Sequence, residues 1–506
     1  MSESPEIAVN ENIPAEKLHI SFTKAEKIYA AVIALLAFLY VEFEIFNPAG
    51  FFTTAVNFLI ITASIIFLKK HDCKLTAYNK MIAVVLYLFS CVFSITDNGF
   101  IKFLDGVFLF FAGAYFVYSA AEGKKNMEQY LPFALIKAVF EFPFSQFGAE
   151  ANAAKEVVGN SKSAGNIKYI VCGLLLALPV TALVAALLIS ADKGMEDFFT
   201  NISSNMLSAE SVRVLCHFLV SIPCGLYLYG MLYANCKRNN LNILDKNLCE
   251  YTLNGARVIP NIILYTAVTP VLLLYIMFFI SQGSYFLSAF SGDLPEGYSY
   301  AEYARRGFFE LCAVTVINLF VICFISLLAQ KSGKNKPTGL KFYSTALSVS
   351  TLILIAVAVS KMVMYISEYG LTRLRFYTMW FMTLCALIFV LIIVKQFKFN
   401  MNFAAWSSGV FTVMFAVLCF CSPDFVIAKY NVEMYNAGYI EELDRNQICS
   451  MSNDAVLYAL EEGAIDEEMA YDANRSLFLG KNKKILNFMN VPSVIIYEKL
   501  KNAEIS

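Results

Sequence analysis

The chain has 506 residues, 58% of them hydrophobic and only 16% charged, with a net charge of -1. A soluble domain of this size carries about 25% charged residues, so much of this surface is built to face lipid. The balanced charge excludes the basic field that nucleic-acid binding requires, and three histidines far apart in sequence (His19, His71, His217) suggest no metal site and no cofactor.

In chain order, residues 1–27 are polar and lack the apolar core of a signal peptide. They read as a disordered cytoplasmic arm. Residues 28–422 then carry eleven apolar runs, each near the roughly 20 residues that a helix needs to cross a bilayer. The runs are 28–46, 51–68, 81–96, 101–121, 169–190, 212–234, 259–280, 307–329, 342–366, 376–394 and 401–422, of which the second and third are the shortest. The expected fold is an all-α, polytopic helix bundle with about 11 transmembrane helices. Pro179, Pro223 and Pro270 fall inside runs, where membrane helices tolerate them as kinks. Thirteen cysteines form no C-x-x-C pair and read as small apolar packing residues.

Lysine and arginine set the orientation. With the amino terminus inside, the inner segments hold 23 of them and the outer connections seven. This orients the chain with a cytoplasmic amino terminus and an extracytoplasmic tail.

Two segments fit neither spans nor short loops. Within 122–168, Phe133, Ile136, Phe140, Phe144 and Phe147 recur at helical spacing. That stripe predicts an amphipathic helix, either on the inner membrane surface or packed against the bundle. The tail, 423–506, has 14 acidic and 8 basic residues. Turns at Gly438 and Gly463 and a helical pattern near Asp454–Glu462 suggest about three short helices.

The densest charge near a span is LPEGYSYAEYARRGFFE, Leu294–Glu310. Pro295 and Gly297 mark a turn, and Ser299 with Glu302 has capping-box spacing. One long helix follows, to about Ala329, with Glu302, Arg306 and Glu310 on one face and Arg305 beside them. Other charges stand at outer span ends: Glu42, Glu44, Asp97, Asp105, Lys361, Glu368, Arg373 and Arg375. A charge within lipid costs about 2.5–3.5 kcal/mol unless it pairs, snorkels or meets water. Glu310 and Lys361, opposite in sign and similar in depth, are therefore expected to pair. The candidate polar cluster is Glu302, Arg305, Arg306, Glu310, Lys361, Glu368, Arg373 and Arg375.

The phrase LPEGYSYAEYARRGFFEL, with YGLTRLRFYTMWFM (Tyr369–Met382) and SPDFVIAKYNVEMY (Ser422–Tyr435), resembles the bacterial multi-pass membrane proteins of domain of unknown function 4173, related to 4153. The resemblance implies an integral membrane protein and brings no catalytic residues. No G-x-S-x-G, H-E-x-x-H or P-loop occurs. The expected role is non-enzymatic: an outward-facing polar site with a part in envelope sensing or assembly. The lipid bilayer is one partner, and an envelope protein or a small charged solute is another. The alternatives are a secondary transporter, for which Asn57 and Asn318 are the mid-span polar residues, and a lipid-linked transferase.

Overall fold

The computed structural model describes residues 22–46, 49–158, 184, 188, 209–237, 246–291, 300–330, 337–398, 400–479 and 489–503. Ten helices among them are long and apolar enough to span a membrane. The expected span at 169–190, with Pro179, lies outside the described residues.

Capping chemistry fixes where several helices start, and it lengthens two spans beyond their apolar runs. Helix α1 (Lys24–Tyr40) begins four residues before the expected start at residue 28. Thr23 and Glu26 close a capping box there, with Thr23 N donating to Glu26 Oε2 at 2.7 Å and Glu26 N to Thr23 Oγ1 at 3.3 Å. Each bond satisfies an amide that the first helical turn leaves open. After α1 the chain continues through one π-helical turn, Val41–Ile45. Helix α2 is Phe51–Lys70. Helix α3 (Ala77–Ser90) is capped by Thr76, breaks at Cys91 and resumes over Val92–Ile95. The two shortest apolar runs thus become full-length spans of 20 and 19 residues. Asn98 starts α4 (Gly99–Ala121) by accepting from Phe100 N and Ile101 N at 3.0 and 3.1 Å.

The segment after α4 packs into the bundle. Ala134, Ala138, Val139 and Phe142 are buried in the amino-terminal core, as are Ala149 and Ala153 of α5 (Ala149–Val158). Ile136, Phe140 and Phe144 face outward from the same segment, whereas Phe147 is buried. The apolar stripe therefore splits: Phe147 turns into the bundle while Ile136, Phe140 and Phe144 stay exposed, and Ala134, Ala138, Val139 and Phe142, off the expected stripe, make the core contact. Helix α6 (Ala209–Cys236) presses on this segment so closely that a Cβ on Gly230 would stand 2.7 Å from the Pro143 carbonyl oxygen.

Helices α1 to α6 form one hydrophobic core. A second is built from α7 (Asn261–Ser291), α8 (Tyr300–Leu328), α9 (Thr338–Tyr369) and α10 (Arg373–Phe397). Helix α8 runs unbroken for 29 residues, roughly 43 Å at 1.5 Å per residue, close to the expected length; the expected cap at Ser299 lies outside the described residues. Pro223 lies within α6 and Pro270 within α7. Helix α11 (Phe403–Phe420) joins the two halves. Its Phe415 stacks on Phe89 of α3 at 5.5 Å, beside Ile101 and Trp380.

The tail has more helices than the sequence suggested. Among them are α12 (Pro423–Asn436), α13 (Asn453–Glu461) and α14 (Val491–Ala503), with shorter turns at Arg445–Cys449 and Glu467–Ala473. Gly438 and Gly463 turn the chain at positive φ. Ile427, Val432, Val456 and Ile496 make the tail's own core, and Leu371 of the α9–α10 loop inserts into it. The tail docks on one end of the bundle, here called the tail face. There Phe51 N donates to Met489 O at 3.1 Å, and Asn490 Nδ2 to Asp97 Oδ1 at 2.7 Å.

Candidate functional site

Five of the eight charged candidates, Glu310, Lys361, Glu368, Arg373 and Arg375, have described side chains. Glu302, Arg305 and Arg306 lie on α8, but their side chains fall outside the described part. Glu310 is exposed on α8, and its charge acts on Lys361 of α9. Glu368 is exposed near the end of α9. The two arginines have other work. Arg373 donates from Nε to Asp424 Oδ1 at 2.8 Å and from Nη2 to Asp424 Oδ2 at 2.6 Å. Arg375 donates from Nη1 to the carbonyls of Tyr369, at 3.0 Å, and Gly370, while its guanidinium lies 4.0 Å from the Tyr365 ring centre. A cation at the carboxyl end of α9 is favoured by the helix dipole, and Asp424, fully buried in the tail, offers Arg373 a fork-shaped acceptor. Arg373 thus fastens the tail, whereas Arg375 closes the end of α9.

Asn318 is likewise satisfied within the core. It donates to Thr351 Oγ1 at 2.9 Å and accepts from Tyr275 OH at 2.8 Å, tying α7, α8 and α9 together.

The concentrated polar site lies instead in the amino-terminal half, near the tail face. The π-helical turn at the end of α1 sends Glu42 and Glu44 to different neighbours. Glu42 pairs with the buried His217 of α6, whose ring stacks on Phe46 at 4.4 Å. Glu44 accepts from Tyr40 OH at 3.1 Å and from Asn57 Nδ2 of α2 at 3.0 Å. Its Oε1 lies 3.2 Å from where a Cβ would stand on Gly106 of α4, so this acid rests against bare backbone.

Next to Gly106, Asp105 is 0% exposed, and neither of its carboxylate oxygens has a hydrogen-bond partner among the described residues. Its surroundings include Glu44, Cys91 and Cys419. Lys102, one turn earlier, is buried. It donates to the Ala49 carbonyl and approaches Asp97 at 3.9 Å.

Two cavities meet at Glu44. One, of about 670 Å³, is lined by Tyr40, Glu44, Asp97, Lys102, Phe103 and Gly106, among others. The other, of about 610 Å³, extends past Asn57, Phe110, Val139 and Cys224 to Met231. Tyr40, Glu44, Gly106, Phe110 and Phe111 line both. Glu44 is the sole charged residue among the described ones on the wall of the deep cavity, which is otherwise largely apolar. The arrangement presents a carboxyl group, held by an amide and a phenol, at the boundary between a charged vestibule and an apolar chamber. Among the described residues no group of three or more His, Cys, Asp and Glu side chains is arranged to hold a metal ion.

The sequence marked Glu42, Glu44, Asp97, Asp105 and Asn57 as polar residues but did not assemble them. The contact that does so, Glu44 with Asn57, is not marked by spacing. The available signal was three acids, Glu42, Glu44 and Asp105, near the ends of two spans with few basic residues close by.

The helical bundle, its apolar exterior and the ten candidate spans among the described residues define a polytopic membrane protein. The family model of DUF4153, a domain of unknown function, matches residues 83–462, and the chain belongs to that family. The family shown is thus the relative named alongside 4173 in the sequence resemblance. Asp97, Lys102, Asp105 and His217 lie within the matched residues, whereas Glu42, Glu44 and Asn57 precede them. No curated protein and no solved structure matches the chain.

Proposed function

We propose that this chain is a non-enzymatic sensor of the bacterial plasma membrane that binds a cationic amphiphile at Glu44 and reports occupancy through its outer tail. The observation that carries the reading is the position of Glu44, where the charged vestibule meets the apolar chamber. A ligand fitting both spaces has one polar end and an apolar body. Acids outnumber bases around the vestibule, and Lys102 is already engaged with Ala49 and Asp97, so the polar end is positive. Desolvated charge pairing supplies selectivity for the head, and burial of the chain supplies about 0.8 kcal/mol per methylene.

The tail is placed to respond. Asn490 holds Asp97, which lines the vestibule, and Met489 holds Phe51 at the start of α2. A head group that competes for Asp97 weakens one of these two ties. The excess of lysine and arginine on the opposite side supports an outward orientation for the tail and vestibule.

Secondary transport of a small charged solute is the second reading, favoured by the depth of the chamber, which reaches Met231 beyond Pro223. Binding of decyltrimethylammonium to the protein in lipid nanodiscs, measured by calorimetry against protein-free nanodiscs, tests the binding claim. Glu44→Gln is expected to weaken it about tenfold or more, the equivalent of a charge-assisted contact. Equal affinity in both proteins ends the reading.

A further inference from the structure

Glu150, at the start of α5, is a buried carboxyl that the binding site does not use. It is 8% exposed, and its Oε1 has no hydrogen-bond partner among the described residues. A Cβ on Gly225 of α6 would stand 3.0 Å from its Oε2 and 3.5 Å from the Ala37 side chain of α1. Glu150 therefore sits between the two helices, part-way along both. By helical rise, Ala37 is about 10 Å from Glu44 and about 16 Å from Glu26.

The groups on either side of Glu150 make a series. Toward the tail face are Cys224, on the chamber wall, and Tyr40, the hydrogen-bond partner of Glu44. Toward the opposite face is Tyr229 of α6, whose surroundings include both Glu150 and Glu26. Its hydroxyl donates to the Glu26 carbonyl at 3.2 Å. The Glu26 carboxylate then meets His71 Nε2 at 3.1 Å and Lys237 Nζ at 3.3 Å. Among the described residues, other titratable groups facing this series are Asp105, Asp97 and Lys102 near Glu44, and Tyr233 near Tyr229. A buried carboxyl with one oxygen unpartnered is costly in such a place, and intramembrane acids of this kind mark ion and proton routes.

We propose that the amino-terminal bundle carries protons between its two faces along α1 and α6, with the carboxyl groups of Glu44, Glu150 and Glu26 as stations. The step is a plain proton exchange. A protonated carboxyl gives its proton, through an intervening water or tyrosine hydroxyl, to the next carboxylate and is reprotonated from behind. No electrons move, and His71 beside Glu26 passes the proton to the opposite face. The proposal shares Glu44 with the binding site but requires Glu150, which binding does not.

The test uses the full chain in liposomes with a pH-sensitive dye inside, an imposed pH gradient, and potassium with valinomycin to clamp the voltage. The wild type is expected to dissipate the gradient faster than protein-free vesicles. Glu150→Gln is expected to fall to the protein-free rate while still binding decyltrimethylammonium, and Glu368→Gln to match the wild type. A wild type no faster than protein-free vesicles overturns the proposal, as does a Glu150→Gln protein that conducts like the wild type. If Glu150→Gln does not assemble, Glu26→Gln takes its place with the same two outcomes. Loss of amphiphile binding with conduction intact would remove the sensor reading alone.

Discussion

Arg373 and Asp424 stand 51 positions apart and meet in a two-pronged ion pair at 2.8 and 2.6 Å. Asp424 also accepts from Ser452 N at 3.0 Å. One buried carboxylate therefore fastens the start of α10, the first tail helix and the approach to α13.

Removing the charge is expected to loosen the tail. Asp424→Ala leaves Arg373 and the Ser452 amide without their acceptor, and breaking a buried pair this way costs on the order of 3 kcal/mol. Arg373→Ala is expected to cost at least as much, because it strands the fully buried Asp424 carboxylate without its counter-charge, whereas the 41% exposed Arg373 can meet water once Asp424 is removed. Limited proteolysis of the tail, compared across the two variants, reads the difference. Equal protection in Asp424→Ala and wild type contradicts the assignment.

Gly370 has φ of +71, and a Cβ there would stand 2.7 Å from Asn431 Oδ1. Asn431 uses that oxygen to accept from Leu371 N at 2.6 Å and donates back to Leu371 O at 2.8 Å. Gly370→Ala is expected to cost about 1–3 kcal/mol through backbone strain and displacement of Asn431. A lowered thermal midpoint is the expected result, and an unchanged one refutes it.

Asp454 gives a pH-dependent prediction. Burial raises its carboxyl above the ordinary aspartate value, with Ser452 and Ser422 pulling the other way, and its Oδ2 lacks a hydrogen-bond partner among the described residues. The folded tail thus holds this proton more tightly than the unfolded chain does, and folding is penalised as pH rises above the ordinary aspartate value of about 3.9. Asp454→Asn is expected to stabilise the tail at neutral pH. The gain should shrink as pH falls through the folded value and vanish below the unfolded one. A gain that is constant over this range would show that the carboxyl is not its source.

The spans were legible because lipid demands about 20 apolar residues, and composition alone reveals that. Their starts were partly legible in the cap motifs: T-x-x-E at Thr23 and the threonine at 76 explain why α1 and α3 begin before their apolar runs. The site was less so. Glu44 finds Asn57 across two helices, Glu42 finds His217 175 positions away, and Arg373 leaves the expected outer cluster for an aspartate of the tail. Such pairings follow from which helix faces meet, and the periodicity of one helix does not specify its neighbour.

Tyr439, exposed in the turn after α12, serves to test orientation. Tyr439→Cys in a cysteine-free background is expected to react with a membrane-impermeant maleimide on intact cells. Reaction only after lysis would invert the proposed topology.

The most direct test of the central claim is a structure of the protein with decyltrimethylammonium in lipid nanodiscs. The account predicts density with its ammonium beside the Glu44 carboxylate and its chain directed past Cys224 into the chamber. Density confined to the lipid-facing exterior, with Tyr40 and Asn57 still bound to an otherwise unoccupied Glu44, would contradict it.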